Sequence, residues 1–187
     1  GCHLPMVKFI VGILEQLDLA LEHVSKSEVH NARFGLMMTD NAVELVLHQI
    51  AKDKDGELRN WFHKANTYPH KAELIVAQGQ HFDAKVRFAK IEGVISDETS
   101  RTILKLHGFR NQLYHAGLQH EEVLPELAAF YLDTACKLIA GYRVRGYSYG
   151  SGTKIPERAR KYFGMTGETD RFSPSFAVLS DGCKHIS

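Results

Sequence analysis

Residues 88–117 read FAKIEGVISDETSRTILKLHGFRNQLYHAG, and this stretch decides how the chain folds. Gly93 is placed to end one helix, Ser96 or Asp97 to cap the next, and Gly117 to end that one. Between the caps, apolar residues recur at intervals of three and four, which is the spacing of one helix face. The stretch therefore predicts two helices joined by a short loop.

The rest of the first 146 residues has the same helical character, and the alternation typical of strands is nearly absent. Helices are predicted over 4–25, 27–52 (with Ser27 as its N-cap), 57–66, 70–92, 98–116 and 120–145, with a short one near 156–163. The sequence thus predicts an all-α, compact antiparallel helical bundle over residues 1–146. Residues 147–187, rich in Gly, Ser, Tyr and Arg, are predicted to form an irregular C-terminal extension.

Composition excludes several classes of protein. The net charge of +1 is too small for a protein that coats nucleic acid with its whole surface. The three cysteines are an odd number without a CxxC motif, which indicates a reducing compartment and a cytoplasmic location. The apolar run near the start is interrupted by Lys8 and Glu15 and is too short to span a membrane, so no membrane association is expected.

Eleven histidines raise the question of a metal site. No Glu is followed by a His three positions later, as a di-iron helical bundle requires, and no HExxH motif occurs. We therefore expect no metal and no cofactor. Cys136 lies among Ala135, Leu138 and Ile139, which predicts a core position rather than a nucleophile.

Arg110 stands out within the predicted helix 98–116. A helical projection places it at the centre of the apolar stripe formed by Ile103, Leu106, Leu113 and Tyr114. A guanidinium cannot be deprotonated, and its burial without a partner is costly. The position predicts an anionic neighbour: a carboxylate of the same chain, a partner subunit or a phosphate.

Three polar residues, His107, Asn111 and His115, follow at intervals of four along one edge of that helix. Asn111 is therefore placed to orient His115. His115 lies at the helix C-terminus, where the helix dipole favours a cationic imidazolium, as suits a proton-transfer group.

Helix 27–52 carries a polar stripe on an otherwise apolar sequence: Arg33, Asp40, Asn41, Glu44 and His48. Two interpretations stay open. The stripe is either the solvent-facing side of the helix, or a supporting part of a site in which Glu44 or Asp40 partners Arg110.

Residues 141–187 contain eight Lys or Arg against four Asp or Glu, with tyrosines between them. Basic residues interleaved with aromatic ones suit single-stranded RNA. The predicted RNA-binding residues are Arg143, Arg145, Arg158, Arg160 and Lys161. The alternative is a solvated tail without a ligand.

With four residues between the arginine and the histidine, Arg110, Asn111 and His115 resemble the signature of the HEPN superfamily, and the resemblance covers roughly residues 28–146. It implies a homodimeric all-α bundle that acts as a metal-independent endoribonuclease on RNA. Arg110 and His115 would be catalytic, and Asn111 would orient His115 or the phosphate. Glu44, Asp40 and His107 are then candidate supporting residues.

One branch of this family pairs with a protein antitoxin that modifies a tyrosine two residues after the histidine. This chain has Gly117 at that position and so departs from the branch. A protein antitoxin or another regulator is still a candidate partner. The alternative function is a non-catalytic HEPN-like module that binds RNA or a nucleotide or mediates assembly.

Overall fold

The computed structural model describes residues 4–61, 66–116, 121–142 and 155–162. The helices in these ranges are α1 (Leu4–Val24), α2 (Val29–Asn60), α3 (Lys71–Ala77), α4 (Phe82–Ile91), α5 (Asp97–Ala116), α6 (Leu124–Gly141) and α7 (Glu157–Arg160), with a 3-10 turn (Glu121–Val123) before α6. These ranges contain no strand, so the predicted all-α fold class is confirmed. No helix within them has both the length and the apolar content needed to cross a membrane.

The loop between α4 and α5 forms as predicted. Gly93 has a φ of +71°, and its N–H donates to the Lys90 carbonyl at 3.0 Å. The Val94 N–H donates to the Ala89 carbonyl, also at 3.0 Å, which completes the glycine-based helix end called a Schellman motif. Ser96 Oγ then accepts the N–H of Thr99 at 3.0 Å and caps α5.

Both predicted boundaries of α2 are wrong. Ser27 does not cap α2, because its φ of 55° places it in the turn before the helix. α2 begins at Val29 and continues to Asn60, so it includes the start of the helix predicted over 57–66. Residues 62–65 of that prediction lie outside the described residues.

The helix predicted over 70–92 is two helices, α3 and α4, separated by a turn around Gly79. The buried Lys85 side chain reaches back to this turn, where its Nζ donates to the carbonyl of Ala77 at 3.3 Å and to that of Gly79. It thereby supplies a donor to carbonyls left open where α3 ends. Burial lowers the pKa of Lys85, and the negative charge of Glu44 opposes that shift.

The described residues divide into two compact units. Unit 1 contains those within 1–42 and 118–187, and unit 2 those within 43–117. The predicted boundary between residues 146 and 147 lies outside the described residues and stays a prediction.

In unit 1, α6 and α7 pack against α1. The α1 side chains Ile13, Leu17 and Val24 are buried, as their spacing predicts. The fully buried Tyr131 of α6 donates its hydroxyl to Asp40 of α2 at 2.6 Å. Cys136 is also buried in this core, which confirms its predicted position.

Gly35 of α2 lies where α1 and α2 approach closely. A Cβ at this position would overlap Val24 Cγ2 and would lie 3.2 Å from the Ala20 carbonyl oxygen. We expect Gly35→Ala to lower the free energy of unfolding by about 1–3 kcal/mol, because added atoms in a packed interface force a backbone or rotamer shift. Urea denaturation measures the change.

Gly12 of α1 provides the matched control. It is also inside a helix of unit 1, but a Cβ there would meet nothing within 4 Å. Gly12→Ala should therefore stabilise the protein by about 0.5–1 kcal/mol through helix propensity. Equal effects of the two substitutions would contradict the close approach at Gly35.

In unit 2, α3 and α5 each pack against α4. The core contains Val46 and Leu47 of α2, Phe88 of α4 and Ile103 of α5, all without solvent exposure. α5 buries Ile103, Leu106 and Leu113 along one face, as its periodicity predicts. This packing determines which side of α5 carries its polar residues.

Candidate functional site

An open cleft of about 380 Å³ lies within unit 2. One wall is α5, which contributes Leu104, His107, Arg110 and Asn111. Its volume is in the range of pockets that bind small molecules or a single nucleotide-sized group. Three of the site residues predicted from sequence are therefore brought together on one wall.

The rest of the cleft lining comes from α2, from the segment leading into α4 and from the start of α4. Glu44 belongs to α2, and His81, Phe82 and Asp83 lie at the start of α4. With the histidines neutral, the cleft contains one guanidinium and two carboxylates. It therefore offers both donors for an anion and acceptors for hydroxyl or amino groups.

Arg110 is half-buried rather than fully buried. Its Nη1 donates to Asn111 Oδ1 at 2.9 Å, and its guanidinium lies 5.9 Å from the ring centroid of Tyr114. The aliphatic residues of the predicted stripe, Ile103, Leu106 and Leu113, are buried as expected. Tyr114 is 70% exposed, so its predicted place among the buried residues is wrong.

Asn111 connects Arg110 to His107. Its Nδ2 lies 3.2 Å from His107 Nε2, one helical turn back. The His107 ring is stacked on Phe82 with centroids 3.6 Å apart and planes 5° from parallel. The structure thus shows Asn111 bonded to the histidine that precedes it, whereas the sequence favoured His115, which follows it.

His115 is exposed in the last turn of α5. Its ring lies edge-on to Tyr114, with centroids 5.5 Å apart. It is not among the residues that line the cleft in this chain. Its side chain is therefore accessible to a ligand or to another copy of the chain.

The two candidate carboxylates of α2 lie in different units. Glu44 lines the cleft in unit 2, whereas Asp40 belongs to unit 1, is 1% exposed and accepts the Tyr131 hydroxyl. The interpretation of the α2 stripe as a solvent-facing side is therefore wrong for Asp40. His48 of the same stripe is half-buried, and its pKa is lowered by burial and by the nearby charges of Lys85 and Lys52.

Two of the predicted RNA-binding residues form ion pairs with α1 in unit 1. Arg158 Nη1 donates to Asp18 Oδ2 at 2.9 Å and to Glu22 Oε2 at 2.8 Å. Lys161 Nζ lies 2.6 Å from Asp18 Oδ1, which also accepts the Tyr162 hydroxyl. These contacts define the Asp18 clamp, formed by Asp18, Arg158, Lys161 and Tyr162.

Of the other predicted RNA-binding residues, only Arg160 lies within the part of the chain that the structure describes. Arg160 is exposed, and its Nη2 donates to the Ile155 carbonyl at 3.3 Å. Arg143 and Arg145 lie outside the described residues. Among the residues that the structure describes, no group of three or more His, Cys, Asp or Glu side chains is arranged to hold a metal ion.

Sequence reasoning missed His81, Phe82 and Asp83 as part of the site, because the helix predicted over 70–92 continued through them. Gly79 was the available signal. A glycine inside a helical pattern, followed within four residues by an acidic residue, is typical of one helix ending and another beginning.

Comparison with known proteins finds no match: no family model, no curated protein and no solved structure is significantly similar to this chain.

Proposed function

We propose that this chain is a metal-independent endoribonuclease of the HEPN type, with Arg110 binding the scissile phosphate. The observation that carries the proposal is the juxtaposition of Arg110, Asn111 and His107 on the wall of an open cleft. A planar guanidinium held by a neighbouring amide is well suited to pair with a phosphate. The resemblance of Arg110, Asn111 and His115 to the HEPN signature supports RNA as the substrate.

In the proposed reaction the ribose 2′-oxygen attacks the adjacent phosphorus while the P–O5′ bond breaks. One group accepts the proton of the 2′-hydroxyl and another donates a proton to O5′. The products are a 2′,3′-cyclic phosphate and a free 5′-hydroxyl. His115 transfers one of these protons, and Arg110 stabilises the charge that develops on the phosphate oxygens.

The proposal includes a homodimer in the cytoplasm, in which two copies of α5 face each other. The exposure of His115 and Tyr114 at the end of this helix supports it. A second copy would bring its own His115 towards a shared site, so that two proton-transfer groups act on one phosphodiester. Light scattering at micromolar concentration distinguishes this dimer from a monomer.

The test is cleavage of a mixed-sequence single-stranded RNA in the presence of EDTA. We expect fragments with 2′,3′-cyclic phosphate ends from unmodified RNA and no cleavage of the same sequence carrying 2′-O-methyl groups. Arg110→Ala should reduce the rate about 10- to 100-fold, as expected for losing a charge-assisted hydrogen bond to the phosphate. Arg110→Lys should also lose most activity, since it keeps the charge but loses the planar fork.

Arg101→Ala is the matched control for Arg110. Arg101 is exposed on the same helix and pairs with Asp97 at 3.1 Å, so its loss should leave both cleavage and dimerisation unchanged. Equal rates for the Arg110 and Arg101 variants would contradict the proposed role of Arg110.

A second candidate function is a non-catalytic RNA-binding module built on the same cleft. The position of His115 outside the cleft lining favours it, because a binding site for phosphate requires Arg110 but no proton transfer. Binding of the mixed RNA without cleavage, lost in Arg110→Ala, would support the module over the enzyme.

A further inference from the structure

The hydrogen bonds along α5 have a defined direction. A guanidinium has only donors, so the contact at 2.9 Å fixes the Asn111 oxygen towards Arg110. The Asn111 nitrogen must then face His107, and this nitrogen has only donors as well. His107 Nε2 is therefore the acceptor, which means that its ring is neutral and carries its proton on Nδ1.

The environment of His107 holds this arrangement in place. Its ring is stacked on the buried Phe82 of α4, so rotation of the imidazole would break a parallel contact at 3.6 Å. The acceptor nitrogen is directed at Asn111, where it is already engaged. A nitrogen so engaged is poorly placed to exchange protons with a ligand, in contrast to the exposed ring of His115.

We infer that His107 is a positioning residue for Arg110. The stacked imidazole fixes the amide of Asn111, and the amide oxygen fixes one edge of the guanidinium. The chain Phe82, His107, Asn111, Arg110 thus orients an arginine fork in the cleft for a phosphate group. This role rests on the proposed function, and it assigns the two histidines of α5 different tasks: His107 positions the arginine, and His115 transfers protons.

Two substitutions distinguish the role of His107 as a hydrogen-bond acceptor from the role of its aromatic ring. His107→Phe keeps an aromatic ring against Phe82 but removes the acceptor, whereas His107→Gln loses the ring but retains a carbonyl oxygen that can accept from Asn111. Affinity is measured with a fluorescein-labelled, 2′-O-methyl single-stranded RNA, which is bound without being cleaved. We expect His107→Phe to bind about 2- to 10-fold more weakly, the effect of one lost hydrogen bond. His107→Gln keeps the acceptor but loses the stack, so it should bind more tightly than His107→Phe.

A double-mutant cycle then tests whether His107 acts through Arg110. In the Arg110→Ala background, His107→Phe should cause no further loss of affinity. His30→Phe, at an exposed histidine of α2, is the control for a general effect of introducing phenylalanine. Unchanged affinity in His107→Phe, or an equal loss with and without Arg110, would overturn the inference.

Two NMR measurements on the free protein test the same inference without RNA. The ring nitrogens of His107 should show the neutral form protonated on Nδ1, and the Arg110 Nε–H should be more mobile in His107→Phe than in the parent or in His107→Gln. A proton on Nε2, or an Arg110 side chain equally ordered in all three proteins, would overturn it. If both measurements agree with expectation and the parent binds no RNA, the hydrogen-bond chain stands and the proposed function fails.

Discussion

Replacing His115 with alanine should reduce RNA cleavage by a factor of about 10²–10⁴, the usual contribution of a positioned proton-transfer group. The fold should survive, because His115 is exposed in the last turn of α5 and its ring contact is with the exposed Tyr114. Initial cleavage rates on mixed single-stranded RNA measure the loss, and circular dichroism checks that the helix content is unchanged.

His30→Ala is the control for this substitution, since His30 is also exposed on a helix but belongs to unit 1. It should cleave at the parental rate. RNA binding should persist in His115→Ala, because the cleft contains Arg110 and not His115. If His115→Ala cleaved RNA as fast as the parent, His115 would not transfer a proton in the reaction.

Replacing Asp18 with alanine should have the largest effect on stability. Asp18 is 4% exposed, and its carboxylate accepts hydrogen bonds from three side chains. One of the donors is the buried hydroxyl of Tyr162. A buried hydroxyl left without an acceptor costs about 1–3 kcal/mol, whereas Arg158 and Lys161 are partly exposed and regain water. With the lost charge-assisted bonds included, we expect the free energy of unfolding to fall by about 3 kcal/mol, measured by urea denaturation at pH 7.

The same carboxyl predicts a dependence of stability on pH. Burial alone would raise the pKa of Asp18, but hydrogen bonds from Lys161, Tyr162 and Arg158 outweigh burial and hold the pKa below its ordinary value. Because the pKa of Asp18 is lower in the folded chain than in the unfolded chain, the ionised carboxylate stabilises the folded protein at pH values above the unfolded pKa of about 3.9. This stabilisation is lost as the pH falls below that value. Asp18→Asn should therefore lose less stability than the parent between pH 5 and pH 3.

Glu22 provides the matched control for Asp18. It accepts the same Arg158 Nη1, at 2.8 Å, but it is exposed and does not contact Tyr162. Glu22→Gln should change stability little, because exposed ion pairs contribute weakly. If Glu22→Gln and Asp18→Ala were equally destabilising, burial of the Asp18 carboxyl would not be the reason for its importance.

Local signals explain what the sequence could predict of the fold. The caps at Gly93 and Ser96 and the apolar face of α5 depend on residues within a few positions of one another, and the structure has each of them. The break at Gly79 was missed because apolar periodicity continues across it. The closure of that turn depends on Lys85, a residue that sequence patterns would assign to a helix surface.

In the candidate site, too, contacts within one helix could be predicted from the sequence, whereas contacts between helices could not. That Arg110 and Asn111 lie beside each other on one helix follows from spacing alone, but spacing places His107 and His115 equally far from Asn111. The choice between them depends on the stack with Phe82, which belongs to another helix. No local sequence pattern relates Asp18 to Tyr162, so the Asp18 clamp could be identified only from the structure.

The composition of the two units has a consequence for the order in which the chain folds during synthesis. Unit 2 is drawn from one continuous stretch, residues 43–117, and all of it emerges from the ribosome before any part of α6 emerges. Unit 1 joins segments from opposite ends of the chain: Tyr162 follows its partner Asp18 by 144 residues. Contacts so distant in sequence form late, so α1 emerges before unit 2 but can pack against α6 and α7 only after unit 2 has been translated.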